Sequence, residues 1–184
     1  MSWIDQRPDD AMDGAFTAVS PSPFDAADSG QFREAMSRLG AAVHIVTSNG
    51  PAGLGGFTAT AVCSVSDQPP MLLACLNRRS QSTLMFQRNG VLCVNTLGAD
   101  EEAMATMFAG RTVTAVEERF KAGDWTTLKT GSPVLTTAVV AFDCRIVEVK
   151  AVATHNVLIA GVEAIRLGPG GPALVYHERA YKRV

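Results

Sequence analysis

The chain has 184 residues, of which 47% are hydrophobic and 18% are charged, enough for one domain with a full core. Its formal net charge is -2, whereas proteins that bind nucleic acid usually carry a basic surplus, so we expect no nucleic-acid partner. No apolar run approaches the roughly 20 residues of a membrane-spanning helix, and Met1–Asp10 lacks the basic and apolar regions of a signal peptide, so we predict a cytoplasmic protein without membrane association.

The N-terminal part divides into a tail and the start of a domain. Residues 1–28 are rich in Asp, Pro, Ser and Ala and show no periodicity, which predicts a disordered or extended tail. A helix is predicted from Ser29, because Phe32, Met36 and Leu39 recur at helical spacing and Gly40 can end it. We therefore predict one folded domain over residues 29–184.

Two strands are predicted next, over 41–48 and over Phe57–Ser66. In the second, strict alternation sends successive side chains to opposite faces. The face predicted to enter the core carries Phe57, Ala59, Ala61, Cys63 and Val65. The opposite face carries a row of hydroxyls that includes Thr58, Thr60, Ser64 and Ser66. This row can border a polar ring system or simply face water.

The segment 77–83 is a candidate phosphate site. It leaves the apolar run Met71–Leu76, predicted to be a strand buried on both faces, and enters a short helix. Its polar side chains are those of Asn77, Arg78, Arg79, Ser80, Ser82 and Thr83. Hydroxyls, positive charge and the N–H groups of a helix start suit an anion. The alternative is that Ser80 or Ser82 caps the helix and the arginines are solvated.

The remaining pattern favours a mainly β fold. Strands are predicted over 91–97, 136–146, 156–167 and 173–176. One short helix is predicted after Asp100, its candidate N-cap, and another over Thr114–Phe120. Asp143 and Arg145 are predicted to point away from the apolar face of their strand. Strands outnumber helices and do not alternate with them, which favours an antiparallel barrel with a few peripheral helices over a parallel sheet.

Several catalytic motifs are absent. The run Gly53–Thr58 lacks the last glycine of a dinucleotide fingerprint and precedes a strand rather than a helix. No phosphate-binding loop, H-E-x-x-H or G-x-S-x-G motif occurs. The four cysteines lie in strand-like stretches and are predicted to be buried, reduced thiols. Neither they nor the three histidines have the spacing of metal ligands, so we predict no metal site.

Six blocks, in this order, resemble the short-chain flavin reductases, the reductase components of two-component flavin-dependent monooxygenases. They are GFTATAVCSVS from Gly56 with Pro69-Pro70 after it, CLNR from Cys75 with Ser80, LCVNTL from Leu92, EERF from Glu117, FDCRI from Phe142, and Thr154-His155. The resemblance runs from about Phe32 to Tyr181. It is closest to the pyrimidine-utilisation flavin reductase, which the FDCRI block favours, and to the reductase of 4-hydroxyphenylacetate 3-monooxygenase.

The resemblance implies a fold and a reaction. The fold is an FMN-binding split β-barrel, antiparallel and of Greek-key type, in a homodimer. The reaction is an NAD(P)H-dependent reduction of flavin, in which a hydride passes from C4 of the nicotinamide to N5 of FMN. FAD is an alternative to FMN, and the sequence does not separate NADH from NADPH. The reduced flavin would then diffuse to a partner monooxygenase, one that opens a pyrimidine ring or hydroxylates an aromatic substrate.

The resemblance also assigns residues by position. The predicted flavin-binding residues are Thr58, Ala59, Thr60, Ala61 and Ser64 beside the ring and ribityl chain, and Asn77, Arg78, Ser80 and Ser82 at the phosphate. His155 matches the histidine of a Gly-Asp-His motif near the nicotinamide and is the predicted catalytic residue, although Ala153-Thr154 replaces the first two positions. The alternative is an ordinary polar residue at a strand start. Tyr181 either covers the site or simply packs.

Two other functional classes fit the same barrel. One is a flavin oxidase similar to those that act on pyridoxamine phosphate, which would hold flavin tightly and reduce it with its own substrate. The other is a non-enzymatic FMN-binding electron carrier or sensor, which would bind FMN without oxidising NADH.

Overall fold

The computed structural model describes residues 25–80, 82–110 and 115–184. The predicted tail over residues 1–28 lies outside this part of the chain except for 25–28, which are exposed and belong to no helix or strand. Thr114, the predicted first residue of the last helix, also lies outside it.

The described chain contains four helices and twelve strands. The helices are α1 (Ser29–Ser37), α2 (Thr83–Asn89), α3 (Glu102–Phe108) and α4 (Val116–Lys121). The strands are β1 (Ala41–Ala42), β2 (His44–Ser48), β3 (Gly55–Ala59), β4 (Val62–Asp67), β5 (Pro70–Asn77), β6 (Val91–Thr96), β7 (Trp125–Thr127), β8 (Pro133–Leu135), β9 (Val140–Val152), β10 (His155–Leu167), β11 (Leu174–His177) and β12 (Ala180–Arg183).

Seven strands form one antiparallel sheet in the order β3-β2-β6-β9-β10-β5-β4. The two edge strands, β3 and β4, are consecutive in the chain and are joined only by Thr60 and Ala61. The sheet must therefore curl until its edges meet, and the carbonyl of Ala61 accepts a hydrogen bond of 3.0 Å from the N–H of Cys75 on β5. The result is a split barrel, which confirms the predicted mainly β fold with few helices. We call the junction of its two edges the seam.

The seam corrects one prediction. Phe57–Ser66 is not one strand, because the chain leaves β3 at Thr60 and crosses to the other edge before β4 begins. The alternation predicted for a single strand therefore fails beyond Ala59. Ala61 and Cys63 are exposed rather than in the core, and Val65 keeps 49% of its surface exposed.

The core has two main parts, one on each side of β2 and β6, and these two strands are buried along their whole length. Inside the barrel, Val46, Leu76 and Leu158 pack around Phe86 of α2. On the outer side, Ile45 and Leu97 pack against Met104 and Phe108 of α3. Full burial of each such side chain contributes about 1.5–3 kcal/mol, so α3 is held on the barrel by its apolar stripe.

The cysteine prediction is half right. Cys93 and Cys144 are buried, and burial raises the pKa of the Cys144 thiol to about 12. Cys75 is half-buried and Cys63 is exposed, because both lie on the strands beside the seam. All four are free thiols.

Two local predictions also change, and a third gains a detail. Helix α1 begins at Ser29 as predicted, with the Asp28 carboxylate accepting from two N–H groups, but it ends at Ser37, before Gly40, and its apolar stripe is exposed. Asp100 does not cap α3, whose N-cap position is Glu101; it pairs with Arg183 at 3.0 Å. Asp143 lies on the face opposite to Phe142 and Cys144, as the alternation predicts, and there it is fully buried and accepts hydrogen bonds from the N–H and hydroxyl of Thr130.

Among the described residues, no helix combines the length and the hydropathy that crossing a membrane requires.

Candidate functional site

A cleft of about 320 Å³ opens at the seam, and we call it the seam cleft. Its walls come from residues 57–61, where β3 ends and the chain crosses the seam, from the end of β5, from Ser80, from the end of α3, and from His155 at the start of β10. The volume lies at the lower end of the range for small-molecule sites, and the lining mixes apolar walls with a few polar groups, as such sites do.

The seam cleft brings together most of the residues predicted from the sequence. Its lining includes Thr58, Ala59, Thr60, Ala61, Asn77, Ser80 and His155. Strand pairing explains why these distant segments meet, because His155 on β10 lies directly opposite Asn77 on β5. Three predicted residues are not in this lining: Arg78 lines the adjoining cleft described below, Ser64 is exposed on β4, and Ser82 is half-buried immediately before α2.

Sequence reasoning missed the wall that α3 provides. Phe108 lines the cleft with one part of its ring surface and packs in the outer core with the rest, against Phe120 and Trp125. The hydroxyl of Thr58 donates a hydrogen bond of 2.6 Å to the carbonyl of Ala105, so this predicted ring contact also anchors α3. Phe108 is one of the apolar residues of α3, and nothing local in the sequence distinguishes a core position from a position in a cleft wall.

A second cleft of about 480 Å³ adjoins the first, and we call it the tail cleft. Ser80 lines both clefts, and Arg78, Gln87 and Asn156 line the tail cleft. Among the described residues that line the two clefts, Arg78 is the only arginine or lysine and none is an acid. The electrostatics therefore favour an anion beside Arg78.

The loop from β5 to α2 is folded by its own hydrogen bonds. The Asn77 side-chain oxygen accepts from the N–H of Arg79 at 2.9 Å, and the Asn77 carbonyl accepts from the N–H of Ser80 at 2.9 Å. The Ser80 hydroxyl accepts from the N–H of Ser82 at 3.3 Å. Ser82 precedes α2 but makes no side-chain capping bond, so its predicted alternative role as a cap is wrong.

His155 follows a two-residue turn between β9 and β10. Its Nδ1 lies 2.9 Å from the hydroxyl of Thr154, either of which can donate the hydrogen bond, and this leaves Nε2 without a partner on its own turn. Ala153, where the resembled motif has glycine, adopts the left-handed φ of 47°. Tyr181 packs edge-on against Tyr176 and is not among the cleft residues, which favours its packing role.

Cys75 contributes a thiol to the wall of the seam cleft. Burial raises the pKa of this thiol, and the neighbouring Cys63 raises it further. A thiol that stays protonated at neutral pH is a poor nucleophile, so Cys75 acts as a small apolar surface. The described residues also contain no group of three or more His, Cys, Asp or Glu placed to hold a metal ion.

Together the clefts suit a flat ring with an anionic tail. Half-buried Phe57 offers apolar surface in the seam cleft, whose wall also contains the almost fully buried Leu76 and Phe108. The hydroxyl of Ser80 and the guanidinium of Arg78 offer hydrogen bonds at the junction with the tail cleft. A ring of this kind would stack on the apolar walls and keep its polar edge toward residues 58–61.

Comparisons with known proteins agree with this arrangement. Residues 36–184 match the model of the flavin reductase-like domain family. The chain is 52% identical to "FMN reductase (NADH) RutF" of Methylorubrum extorquens (strain DSM 6343) over 168 residues, which cover 91% of this chain and 81% of the relative.

Two solved structures are similar in fold. One is a candidate flavin reductase from Haemophilus somnus 129pt, with a TM-score of 0.82 and 46% identity, covering 86% of this chain and 100% of the other. The second is BorF, the flavin reductase component of a bacterial two-component tryptophan halogenase, with a TM-score of 0.79 and 25% identity, covering 85% and 98%.

Proposed function

The chain belongs to the flavin reductase-like domain family, and from this premise and the geometry of the seam cleft we propose that it is an NADH-dependent FMN reductase. It supplies reduced flavin to a partner monooxygenase. Its relatives named RutF favour the pyrimidine-utilisation subgroup and NADH as the donor.

The flavin site is assigned from the lining of the two clefts. Residues 58–61 border the ring, with Ala59 and Ala61 small enough to let it approach the backbone. Asn77 shapes the loop, and Ser80 and Arg78 hold the phosphate from the junction of the clefts. Ser64 and Ser82 line neither cleft, so we leave both out of the proposed contacts.

Bound FMN supplies the electron-accepting chemistry, and the protein supplies position. The apolar walls, Phe108 among them, exclude water from one side of the ring site. His155 belongs to the same lining, and its Nε2, which has no partner on its own turn, is the group that orients the nicotinamide. No acid or base is required of the chain for hydride transfer itself, because near-attack stacking at roughly 3–3.5 Å provides most of the effect.

One observation carries the proposal: the seam crossing, the loop after β5 and His155 converge on the seam cleft, and the adjoining tail cleft carries Arg78 at an anion-binding end. The test follows NADH absorbance with purified protein and added FMN. Oxidation whose rate rises and saturates with free FMN supports the reductase. Tight FMN binding without NADH oxidation would indicate the electron carrier or sensor. Reduction of bound FMN only by another substrate would indicate the oxidase.

A matched pair of variants tests the place of the ring. Ala61→Leu adds bulk inside the seam cleft, whereas Ser64→Leu adds a leucine three residues later, outside it. Ala61→Leu is expected to weaken FMN binding at least about tenfold, equivalent to about 1.4 kcal/mol, and Ser64→Leu to leave it unchanged. Equal effects of the two changes on FMN fluorescence titrations would contradict the assignment.

A homodimer is part of the proposal. A small pit with mostly apolar walls lies between the β4–β5 turn at Pro69-Pro70 and strands β9 and β10, and Val147 beside it is 58% exposed. Covering this surface with a second copy would remove it from water. Val147→Asp is expected to shift the protein to a monomer in sedimentation experiments. A parent protein that is monomeric at micromolar concentration would refute the dimer.

We also propose a cytoplasmic location and one folded domain over residues 29–184. All four cysteines are free thiols, which suits a reducing compartment. Among the described residues, the first helix or strand is α1, which begins at Ser29.

A further inference from the structure

We propose that Arg78 is a positioning residue for His155, in addition to its proposed contact with the flavin phosphate. This inference rests on the proposed function and concerns how the phosphate end of the site is joined to the nicotinamide end.

Arg78 donates two hydrogen bonds to the turn that precedes His155. Its backbone N–H donates to the carbonyl of Thr154 at 3.0 Å, which extends the β5–β10 ladder by one residue. Its guanidinium Nη1 donates to the carbonyl of Ala153 at 3.2 Å. Both carbonyls of the two-residue turn are therefore held by one residue of the loop that lines the tail cleft.

The turn needs such support. Ala153 has a φ of 47°, a left-handed conformation that costs an L-residue with a side chain about 1–2 kcal/mol. Two-residue hairpin turns require positive φ and normally use Gly, Asn or Asp there. A strained residue persists where its surroundings over-determine it. Here the pairing of Val152 with His155 closes the turn, and the guanidinium of Arg78 adds a bond to Ala153 itself.

The conformation of this turn also fixes the orientation of the His155 imidazole. Thr154 holds His155 Nδ1 through its hydroxyl at 2.9 Å, so the position of Thr154 sets the ring orientation of His155 and directs Nε2 away from the turn. The backbone N–H of Arg78, Thr154 and His155 thus form a continuous series of hydrogen bonds from the tail cleft to the seam cleft. The guanidinium adds the bond to Ala153, and this side-chain bond is the one that Arg78→Ala removes.

Arg78 can do both tasks at once. A guanidinium has five N–H donors, and Ala153 takes one of them. The others remain for a phosphate, whose binding would restrain the guanidinium and therefore the turn. The positioning role follows from the protein's own hydrogen bonds, so it persists when the flavin has no phosphate.

Riboflavin separates the two roles, because it carries the ring of FMN without the phosphate. With saturating riboflavin as acceptor, Arg78→Ala is expected to lower kcat/KM for NADH about fivefold or more, the lower end of typical coupling between sites. The matched control is Arg79→Ala, which removes the same charge from the adjacent residue. Arg79 lines neither cleft, and its described contact is a backbone bond to Asn77, so this variant should stay within twofold of the parent.

Two outcomes would overturn the proposal. If Arg78→Ala reduces activity with FMN but leaves kcat/KM for NADH unchanged with riboflavin, Arg78 serves the phosphate alone. If the losses from Arg78→Ala and His155→Ala multiply in the double variant, Arg78 acts independently of His155; a positioning role requires the double variant to lose little more than His155→Ala.

A readout without nicotinamide keeps this test separate from the proposed function. The imidazole nitrogen NMR signals of His155, assigned with His155→Ala, are expected to shift in flavin-free Arg78→Ala and not in Arg79→Ala. Unchanged signals in both variants would refute the positioning role even in an active enzyme. If the parent protein fails to oxidise NADH but the His155 signals shift in Arg78→Ala alone, the positioning role is supported and the proposed reaction is refuted.

Discussion

Acid sensitivity at His44 provides a test of the core. His44 on β2 is 9% exposed, and its Nδ1 lies 3.0 Å from the hydroxyl of Thr96. Burial lowers the pKa of His44 from 6.5 to about 4. Between these values the unfolded chain binds a proton that the native protein does not, so stability is lost as pH falls through that window. The difference between the two pKa values corresponds to a loss of about 3 kcal/mol in the free energy of unfolding, at about 1.4 kcal/mol for each pKa unit.

The measurement is the free energy of unfolding in urea at a series of pH values from about 7 to about 4, at one protein concentration. His44→Gln keeps a hydrogen-bonding group for Thr96 but cannot take up the proton. In both proteins the free energy of unfolding also changes as carboxylates titrate. The curve of His44→Gln should lack the additional decline of about 3 kcal/mol that protonation of His44 causes in the parent. His177→Gln is the control, because His177 is more exposed, with 38% of its side-chain surface accessible. If the parent and His44→Gln curves stay parallel through the window, burial of a neutral His44 is not the cause.

Three further changes probe the site and the frame around it. His155→Ala is expected to raise KM for NADH about tenfold in steady-state kinetics and leave FMN affinity within twofold, since the proposed role of the imidazole is to orient the nicotinamide; equal losses in both would contradict this role. Gly168→Ala places a Cβ only 1.8 Å from the Ala138 carbonyl oxygen and is expected to destabilise the protein by about 3 kcal/mol or more, so an unchanged Tm would show that the loop relaxes. Asp143→Ala leaves the N–H and hydroxyl of Thr130 without their buried acceptor and should cost about 2–3 kcal/mol in urea unfolding, whereas Asp143→Asn should cost less; equal costs would mean that the hydrogen bonds contribute little.

The candidate site was largely predictable where its residues are local in sequence. Residues 58–61 and the loop after β5 each form a short continuous segment, and both line the seam cleft. His155 was found through the family motif that it retains. Ser64 and Ser82 were assigned by their positions in the family blocks, and neither lines the described clefts, so their flavin contacts stay predictions.

Other features of the site depend on contacts between distant elements. Phe108 becomes a wall of the seam cleft because α3 packs on the outer side of the barrel, and Thr58 uses its hydroxyl to hold that helix. The bond from Arg78 to Ala153 joins residues 75 positions apart in the chain. No periodicity or local motif encodes these pairings.

The sequence alone determined the types of element, the mainly β fold class and the segments that carry the chemistry, because alternation and turn residues act over a few neighbours. Only the tertiary structure decided that Phe57–Ser66 breaks at Thr60–Ala61 and supplies both edges of one barrel. Alternation reports which face a side chain takes within a strand, but strand partners are chosen by long-range hydrogen bonding and by the curl of the sheet. That choice opened the seam, and with it the cleft.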